Sequence, residues 1–284
     1  MKVFPFKIPK SNEEAFLYQE DREFVFYDKY HQHEEIQISL IKKGEGTVLV
    51  GDTITEYEKG DILIMGINLP HVFRSEETEN QSLSVMLTIF FSKNAFGKDF
   101  FDLPELKKTN GFFKDIKNGI LIKNAPSSIK RKFDKFKNAN SFDRFIIFFN
   151  LLKLFDQADK QPLSNSVYDK PFTDAEGKRM QMVFDFVMTN YQKNITLQEI
   201  SEIANMTKNA FCKYFKVRTN KTFFQFLIEI RIERAAKLLI KNKELSVIEI
   251  AELCGFNNIS NFNRKFKEIK KKTPFEFKNS LSNP

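Results

Sequence analysis

The sequence predicts an α+β protein of two domains, in which a β-rich first half is followed by an all-α second half. Two observations carry this prediction. Short apolar runs separated by turn residues occupy the first third of the chain, whereas residues 197–277 repeat one helical pattern twice. The length of 284 residues allows two domains of ordinary size. We expect a first domain over 1–158, a linker over 159–173 and a second domain over 174–284.

The repeat in the second half is visible when the chain is compared with itself. Residues 197–204 match 247–254 after a slide of 50 positions, and the following part matches after a slide of 51. Matching pairs include Glu199 with Glu249, Ile200 with Ile250, Phe211 with Phe262, and Phe215 with Phe266. Apolar positions agree between the copies while polar ones differ, which indicates two copies of one unit with different exposed faces. A helical repeat array is the alternative, but such arrays usually need more copies.

Each copy carries the signals of two short helices joined by a tight turn. An N-cap residue with glutamate three positions later opens each copy, and apolar residues follow at helical spacing. These cap pairs are Thr196 with Glu199 and Ser246 with Glu249. Thr207 is expected to cap the next helix of the first copy, and Gly255 to supply the turn of the second. In the second copy we expect Ile250, Leu253 and Cys254 to point inward. This pattern is typical of a helix-turn-helix.

A single amphipathic helix is predicted between the copies, from Thr222 to about Lys241. At 1.5 Å per residue its ~20 residues reach about 30 Å. Adjacent major-groove segments on one face of DNA lie about 34 Å apart. A rigid helix of this length is therefore suited to place two recognition helices in successive grooves.

The excess positive charge lies entirely in the second half. Residues 1–173 contain 25 basic and 25 acidic side chains, whereas 174–284 contain 20 basic and 12 acidic ones, which gives the whole net charge of +8. This distribution favours binding to a phosphate backbone. An anionic membrane surface would suit the same charge, but the chain has no basic amphipathic helix with apolar anchors.

Cysteine usage and apolar runs indicate the compartment. Cys212 and Cys254 are the only cysteines, so neither a disulfide framework nor a cysteine-rich zinc site is expected. Met1–Glu14 lacks the apolar run of a signal peptide, and no stretch approaches the length of a membrane span. We expect a cytoplasmic, reduced protein that does not associate with membranes.

A set of residues spread over the second half forms a recognisable signature: Arg231-Ile232, Ala235, Leu238-Leu239, Ile250-Ala251, Cys254-Gly255-Phe256, Phe262, Phe266-Lys267 and Thr273-Pro274. With these residues the second half resembles the DNA-binding domain of AraC/XylS-type transcriptional regulators. The resemblance covers about the last 110 residues, with one departure at Ile259, where the family commonly has a polar residue. The resemblance implies binding to double-stranded DNA, a homodimer, and activation through contact with RNA polymerase.

The DNA-contacting residues are expected on the outer face of each recognition helix, because bases are read from there. In the first copy they are Lys208, Asn209, Cys212 and Lys213, of which the last three match base-contacting positions of the family. In the second copy they are Ser260, Asn261, Asn263, Arg264, Lys265 and Lys267. Arg264 is suited to guanine and Asn263 to adenine, whereas Lys265 and Lys267 belong to a basic run that suits phosphates. A solvated helix face is the alternative for each of them.

The first half reads as short strands punctuated by turns, which favours a small sandwich or barrel. The predicted strands are Glu23–Lys29, Ile36–Lys42, Thr47–Val50, Ile54–Tyr57, Ile62–Met65 and Ser82–Phe91. From Ser92 to about Asp156 the pattern becomes helical, with a short strand over Gly119–Lys123. A helix around 142–155 is apolar on nearly every side, which suits either packing on the barrel or, by the family resemblance, a dimer contact.

The histidine motifs of the first half resemble the cupin-like, ligand-sensing half of the same regulator family. The chain has three histidines, His31, His33 and His71, and all fall where cupins place metal ligands. Gln37 stands where a metal cupin would have a carboxylate, so we expect no bound metal or cofactor. A ligand site in the mouth of a β-barrel is a common arrangement. We therefore assign His31, His33, Gln37 and His71 to a pocket for a small-molecule effector.

The sequence thus predicts a sequence-specific transcriptional regulator without enzymatic activity, controlled by an effector in its first domain. Two alternatives stay open. A metal-dependent cupin enzyme with a DNA-binding appendage would also have the histidines. A nonspecific architectural DNA binder would also have the charge but would need no ligand.

Overall fold

The structure is a computed structural model that describes residues 14–75, 83–168, 173–242 and 244–279. The chain divides into two compact units, Met1–Gly177 and Lys178–Pro284. Residues 1–13, on which the absence of a signal peptide was judged, and residues 169–172 of the predicted linker lie outside the described residues. No helix in the described part of the chain is both long enough and apolar enough to cross a membrane.

The first unit is built on two antiparallel sheets. Its strands are β1 (Phe16–Glu23), β2 (Ile36–Lys43), β3 (Gly46–Val50), β4 (Thr53–Tyr57), β5 (Ile62–Met65), β6 (His71–Ser75), β7 (Ser84–Phe91), β8 (Ile120–Ile122) and β9 (Gln161–Pro162). The larger sheet has the order β1-β7-β2-β5-β8-β9 and the smaller one the order β4-β3-β6. A single bridge between His31 and His71 joins the segment before β2 to the smaller sheet.

Helices cover the outer face of the larger sheet. They are α1 (Asn110–Asp115), α2 (Ser127–Asn138) and α3 (Ser141–Gln157), preceded by short 3₁₀ turns. Alternate residues of β2 and β7, such as Ile38 and Ile89, pack with Phe133, Phe148 and Phe155 of α2 and α3 in one core. Packing on the sheet accounts for the buried apolar residues of α3, such as Phe148 and Phe155, whereas Phe142 and Ile146 stay exposed.

The other face of the larger sheet meets the smaller sheet in a second core. This core joins Leu63, Met65 and Met86 of the larger sheet to Val48 and Phe73 of the smaller one. Successive side chains of β2 and β7 point alternately to the helices and to the smaller sheet, and both faces are buried. The two sheets thereby enclose the interior of the barrel. The predicted β-rich barrel with accessory helices is confirmed.

The first and sixth strands differ from the sequence-based expectation. The strand predicted over Glu23–Lys29 is wrong: β1 lies at Phe16–Glu23 and pairs with β7 along its whole length. The aromatic run after it resembles a strand, but Phe24 and Val25 are 58% and 39% exposed and only Phe26 is buried. The strand β6 at His71–Ser75 was not among the predicted strands.

Part of the predicted linker lies on the barrel. Asp52 is buried and accepts hydrogen bonds from Ser164 Oγ at 2.9 Å, the Asn165 backbone at 2.9 Å and Ser166 Oγ at 2.7 Å. Leu163 is buried in the core between the sheets. Residues 161–168 are therefore held on the first unit by a buried carboxylate and an apolar side chain.

The second unit is entirely helical in its described residues. Its helices are α4 (Asp174–Asn190), α5 (Leu197–Ile203), α6 (Lys208–Thr219), α7 (Phe223–Lys241), α8 (Val247–Leu253), α9 (Ile259–Lys270) and α10 (Pro274–Asn279). Both predicted capping boxes are present, at Thr196 and at Ser246, and Thr207 caps α6 as expected. A third capping box at Thr222, which opens α7, was not predicted.

The central helix α7 carries one helical hairpin at each end. Near its start, the Phe223 and Phe226 rings lie 5.6 Å and 5.4 Å from the ring of Phe215 in α6. Near its end, Ile232 and Leu239 pack with residues of α8 and α9 in a separate core. The helix has 19 residues, so it is about 28 Å long.

One inward assignment in the second hairpin is wrong. Ile250 and Cys254 are buried as expected, but Leu253 is 48% exposed. The chain leaves the α-helix after Leu253, and Phe256 from beyond the turn enters the core in its place.

Candidate nucleic-acid interface and barrel cavity

The first recognition helix, α6, presents a polar face because its apolar residues are anchored. Thr207 accepts a hydrogen bond from the Ala210 backbone at 3.4 Å, which fixes the start of the helix. Phe211 and Phe215 are fully buried against α7. The predicted DNA-contacting residues Lys208, Asn209, Cys212 and Lys213 are all exposed. The helix therefore offers two cations and an amide on one accessible surface.

The second recognition helix, α9, is built in the same way. The Asn258 side chain caps it by accepting a hydrogen bond from the Asn261 backbone at 2.9 Å. Phe262 and Phe266 are fully buried. The predicted residues Ser260, Asn261, Asn263, Arg264 and Lys267 are exposed, whereas Lys265 is only half-exposed. Ile259, the departure from the family pattern, is the first residue of the helix and is 37% exposed.

Arg264 is held in place by its neighbours on the helix. Its Nη2 donates to Asn261 Oδ1 at 2.9 Å, and its Nη1 lies 3.7 Å from Glu268 Oε2. The Arg264 side chain is 65% exposed, so the guanidinium edge is reachable by a ligand. An arginine oriented in this way loses less side-chain freedom when it binds.

The basic run at the C-terminal end of α9 is divided between internal pairs and exposed cations. Lys265 pairs with Glu268 at 2.8 Å and Lys270 with Glu233 at 2.5 Å. The Lys271 ammonium donates to the Glu268 carbonyl at 2.9 Å. Lys267 is exposed. Some lysines of the run therefore form ion pairs within the protein, whereas others are exposed. The sequence alone could not show which lysines belong to which group.

A cavity of about 310 Å³ lies between the two sheets of the first unit. It is lined by Gln19, Asp21, Glu23, Val25, Tyr27, His31, Gln37, Phe73, Met86, Thr88 and Phe90. Residues from β1 contribute at every second position, as expected for one face of a strand. Of the lining residues, Gln37, Phe73, Met86, Thr88 and Phe90 are buried. Those of β1, together with Val25 and Tyr27, are at least partly exposed, so the cavity opens on the side of β1. Burial also raises the pKa of the Asp21 carboxyl.

The three histidines form one cluster beside this cavity. One ring nitrogen from each lies within 4.8 Å of the others, so the group has a size that could hold a metal ion. His33 Nε2 and His71 Nε2 lie 3.1 Å and 3.2 Å from Gln37 Oε1. The Gln37 amide nitrogen donates to Ser39 Oγ at 2.9 Å, and that oxygen contacts Thr88 Oγ1 at 2.9 Å. A polar chain thus crosses an otherwise apolar interior.

The backbone fixes which ring nitrogen of each histidine carries the proton. The Nδ1 atoms of His31, His33 and His71 lie 2.7, 2.8 and 2.8 Å from the carbonyls of Lys29, Glu35 and Leu69. A carbonyl only accepts, so each Nδ1 must donate. Burial lowers the pKa of His31 to about 3, lowers that of His33, and holds that of His71 well below its usual range. At neutral pH the three rings are therefore uncharged, and each Nε2 has a lone pair.

The four predicted effector residues are brought together, but not in equal roles. His31 and Gln37 line the cavity, whereas His33 and His71 lie behind them and reach it through Gln37. Sequence reasoning missed the contribution of β1, which supplies Gln19, Asp21 and Glu23. Their spacing of two was the available signal, but it was not recognised because the first strand was predicted to begin only at Glu23.

Comparison with known proteins agrees with both halves. The family model described as an AraC-like ligand binding domain matches residues 13–87, and the one described as a helix-turn-helix domain matches 200–280. Together they match more than half of the chain. The HTH-type transcriptional regulator YdeC of Bacillus subtilis is 26% identical over 261 residues, which cover 89% of this chain and 86% of the relative.

A second relative matches over nearly the whole length. The probable transcriptional regulator LumQ of Photobacterium leiognathi is 24% identical over 253 residues, which cover 87% of this chain and 91% of the relative. The two family models lie in the same order as the two units of the structure. The chain belongs to the AraC-type transcriptional regulators, with a ligand-binding domain followed by a helix-turn-helix DNA-binding domain.

Proposed function

We propose that the regulator reads DNA with α6 and α9, and that α7 sets the distance between them. The observation that carries this proposal is the mounting of the two hairpins on opposite ends of one 19-residue helix, each with an exposed polar recognition face. A helix of about 28 Å approaches the ~34 Å between successive major-groove segments on one face of DNA. The net charge of +8 in residues 174–284 supports the attraction to phosphates.

Within this interface we assign different tasks to different residues. Arg264 is suited to read guanine, because its guanidinium is exposed and already oriented by Asn261. Asn209 and Asn263 are suited to adenine, and Lys213 to guanine or phosphate. The remaining predicted contacts, Lys208, Cys212, Ser260, Lys265 and Lys267, are assigned to positioning on the backbone or to packing against it. Lys265 must first give up its pair with Glu268.

For the first unit we propose that an effector binds in the barrel cavity. The cavity is lined by a few polar groups within apolar walls, which is typical of ligand sites. We consider two conformations of the chain, one with high and one with low affinity for DNA. An effector changes the DNA affinity only if it binds one of these conformations more tightly than the other. We assign this task to residues 1–158, DNA binding to residues 174–284, and the linker to 159–173.

We further propose that the protein works in the cytoplasm as a homodimer that activates transcription. Exposed apolar side chains on α3, with Phe142 at 72% and Ile146 at 46% exposure, support a self-association surface there. The relatives named above are regulators, which supports action by binding rather than by catalysis. Contact with RNA polymerase would follow from activation.

Arg264→Ala is expected to lose about 1–3 kcal/mol of affinity for the operator, meaning the DNA sequence that the chain selects from a random pool. It is also expected to relax the base preference at one position of that operator. The reason is the loss of a bidentate hydrogen bond to one base edge. Fluorescence anisotropy with the operator and with the three single-base variants at that position measures both effects.

Lys271→Ala provides the comparison for the arginine variant, because its ammonium lies on the same basic end of α9. It is expected to weaken operator and random DNA by the same factor, since a phosphate contact has no sequence information. An unchanged base preference in Arg264→Ala would show that the reading face has been wrongly assigned. Equal affinity of the wild-type chain for operator and random DNA at 0.15 M salt would refute sequence-specific binding altogether.

A further inference from the structure

We propose that a second cavity of the first unit, outside the barrel, binds a small monocarboxylate with an apolar body, and that this ligand acts on DNA binding through the linker. The cavity lies between residues 113–117 and residues 167–168, and we call it the outer cavity. Its volume is about 290 Å³, near the lower limit of typical ligand sites. The action on DNA binding rests on the proposed function, whereas the site rests on its own geometry.

The outer cavity is distinct from the barrel cavity. Ile36 lines the outer cavity and its neighbour Gln37 lines the barrel cavity, and successive residues of a strand point to opposite faces of the sheet. Ile36 and Ile116 belong to the core between the larger sheet and its helices. The two cavities share none of their described lining residues. A ligand in the outer cavity is therefore a second ligand, in addition to the barrel effector.

The walls of the outer cavity are mostly apolar. Ile36, Phe113 and Ile116 form its inner side, next to the core under α1 and α3. Ile67 and Val167 stand at its edge and are 48% and 47% exposed. Covering apolar surface of this kind removes it from water and stabilises the bound state. The walls therefore favour a ligand whose body is hydrocarbon.

Two lysines give the outer cavity a positive charge. They are Lys93 and Lys117, and the described lining residues include no aspartate or glutamate. The Lys93 ammonium lies over the Phe113 ring, 5.3 Å from its centroid, which holds the charge against the apolar wall. Within the described parts of the chain, neither lysine forms an ion pair. An anionic group therefore finds two cations beside an apolar surface.

The barrel cavity has the opposite charge. Asp21 and Glu23 line it, and its described lining residues include no lysine or arginine. A carboxylate is therefore attracted to the outer cavity and repelled from the barrel cavity. This difference separates the two sites by the charge of the ligands that they accept.

Charge and volume together define the class of ligand. A lysine ammonium is a point charge that pairs with a carboxylate through a charge-assisted hydrogen bond. A sugar or a nucleotide would place hydroxyl groups against the apolar walls without hydrogen-bond partners, which is costly. At ~30 Å³ for each atom, as for a water molecule, the volume of about 290 Å³ holds on the order of ten non-hydrogen atoms. A small aromatic or aliphatic monocarboxylate meets all three conditions.

The outer cavity is connected to the linker through residues 163–168. Asn118, the residue after Lys117, accepts a hydrogen bond from the Ser164 backbone at 2.7 Å and donates one to the Ser164 carbonyl at 3.0 Å. Val167 and Tyr168 follow and form one wall of the cavity. A ligand between Lys117 and this wall adds contacts to the chain where it enters the linker. If one conformation of the linker favours DNA binding, the ligand changes its population.

Binding is tested with phenylacetate as the probe and a single tryptophan as the reporter. The chain has no tryptophan, so Phe113→Trp places one fluorophore in the outer cavity and Tyr27→Trp places one at the barrel cavity. We expect a saturable fluorescence change in Phe113→Trp, with a Kd of about 1 mM or tighter, and none in Tyr27→Trp. A change in Tyr27→Trp alone would place the probe in the barrel and overturn the proposal.

The wild-type chain provides the check on the reporters. Saturation-transfer NMR of phenylacetate detects binding without any substitution. The absence of binding to the wild-type chain up to about 10 mM phenylacetate would overturn the site, whatever the variants do.

The role of the charges is tested in the Phe113→Trp chain. Lys93→Met and Lys117→Met should each weaken phenylacetate binding at least about threefold, and together at least about tenfold. Lys114→Met is the matched control, because this lysine is exposed on α1 beside Phe113 but does not line the cavity. Phenylethanol, which has the same ring without the charge, should bind at least about tenfold more weakly than phenylacetate. Equal binding of acid and alcohol would overturn the assignment to a carboxylate.

The action on DNA is tested separately by operator affinity of the wild-type chain with and without saturating phenylacetate. We expect a change of at least about threefold, which the double variant Lys93→Met, Lys117→Met should not show. Saturable binding of the probe with unchanged operator affinity would overturn the action on DNA. Equal affinity for operator and random DNA in both conditions would instead refute the proposed DNA reading, while the fluorescence result would still stand.

Discussion

Phe262→Ala is expected to destabilise the second helix-turn-helix by about 3–5 kcal/mol, the range for removing a phenylalanine from a well-packed core. Phe262 is fully buried, and its ring lies 5.1 Å from that of Phe256 and 5.6 Å from that of Phe266. Its loss leaves a cavity where α9 meets α7 and α8. A loss of this size is a large fraction of the stability of a small domain.

Hydrogen–deuterium exchange of the full chain measures this effect on the backbone of α8 and α9. Protection there should fall by two to four orders of magnitude, about 1.4 kcal/mol per factor of ten, and operator affinity should fall with it. Phe275→Ala is the matched control, because this phenylalanine in α10 is 67% exposed and should change protection little. Equal effects of the two substitutions would mean that α9 is not anchored as described.

Gly255→Ala is expected to cost at least about 2 kcal/mol in the same hairpin. The backbone there has φ of +81°, a left-handed conformation that costs a residue with a Cβ about 1–2 kcal/mol. A Cβ at this position would also lie 2.6 Å from the Gln192 carbonyl oxygen and 3.0 Å from Cζ of Arg231. Arg231 cannot move freely, because it donates to the carbonyls of Tyr191 and Lys193 at 2.7 and 2.8 Å.

The first copy of the hairpin provides the control for the glycine. Asn205 occupies the equivalent position with φ of +51°, so an asparagine tolerates this conformation. Gly255→Asn should nevertheless be about as destabilising as Gly255→Ala, since the contact with Gln192 depends on the Cβ. Asn205→Gly should change stability by only a few tenths of a kcal/mol. A well-tolerated Gly255→Asn, measured by urea unfolding, would show that the conformation alone matters here.

The helical half could be predicted almost completely because its signals are local. Capping residues, apolar spacing and the turn lie within a few positions of one another. Because the hairpin is repeated, each of these signals occurs once in each copy. Thr196 and Ser246 cap their helices as expected. Leu253 was misplaced because it is the last residue of α8, and Phe256 from beyond the turn fills the core there instead. The DNA-contacting residues stay a prediction, since exposure alone does not assign a role.

The barrel was harder because strand pairing is not local. Gln19, Asp21 and Glu23 look like an exposed polar segment, yet they line a cavity because β1 pairs with β7 some seventy residues later. The aromatic residues after them looked like a strand and are largely exposed. The histidines could be selected by type and position, whereas their tautomers follow from carbonyls that no sequence pattern reveals.

The distance between the DNA sites of the two recognition helices, α6 and α9, tests the central claim most directly. Operators selected from a random pool by the full chain should contain two conserved base clusters about 10 base pairs apart, one for α6 and one for α9. Inserting five base pairs between the clusters should reduce the affinity to that of one cluster alone, because α7 cannot lengthen or turn. Selected sites with a single cluster, or binding indifferent to the insertion, would contradict the account.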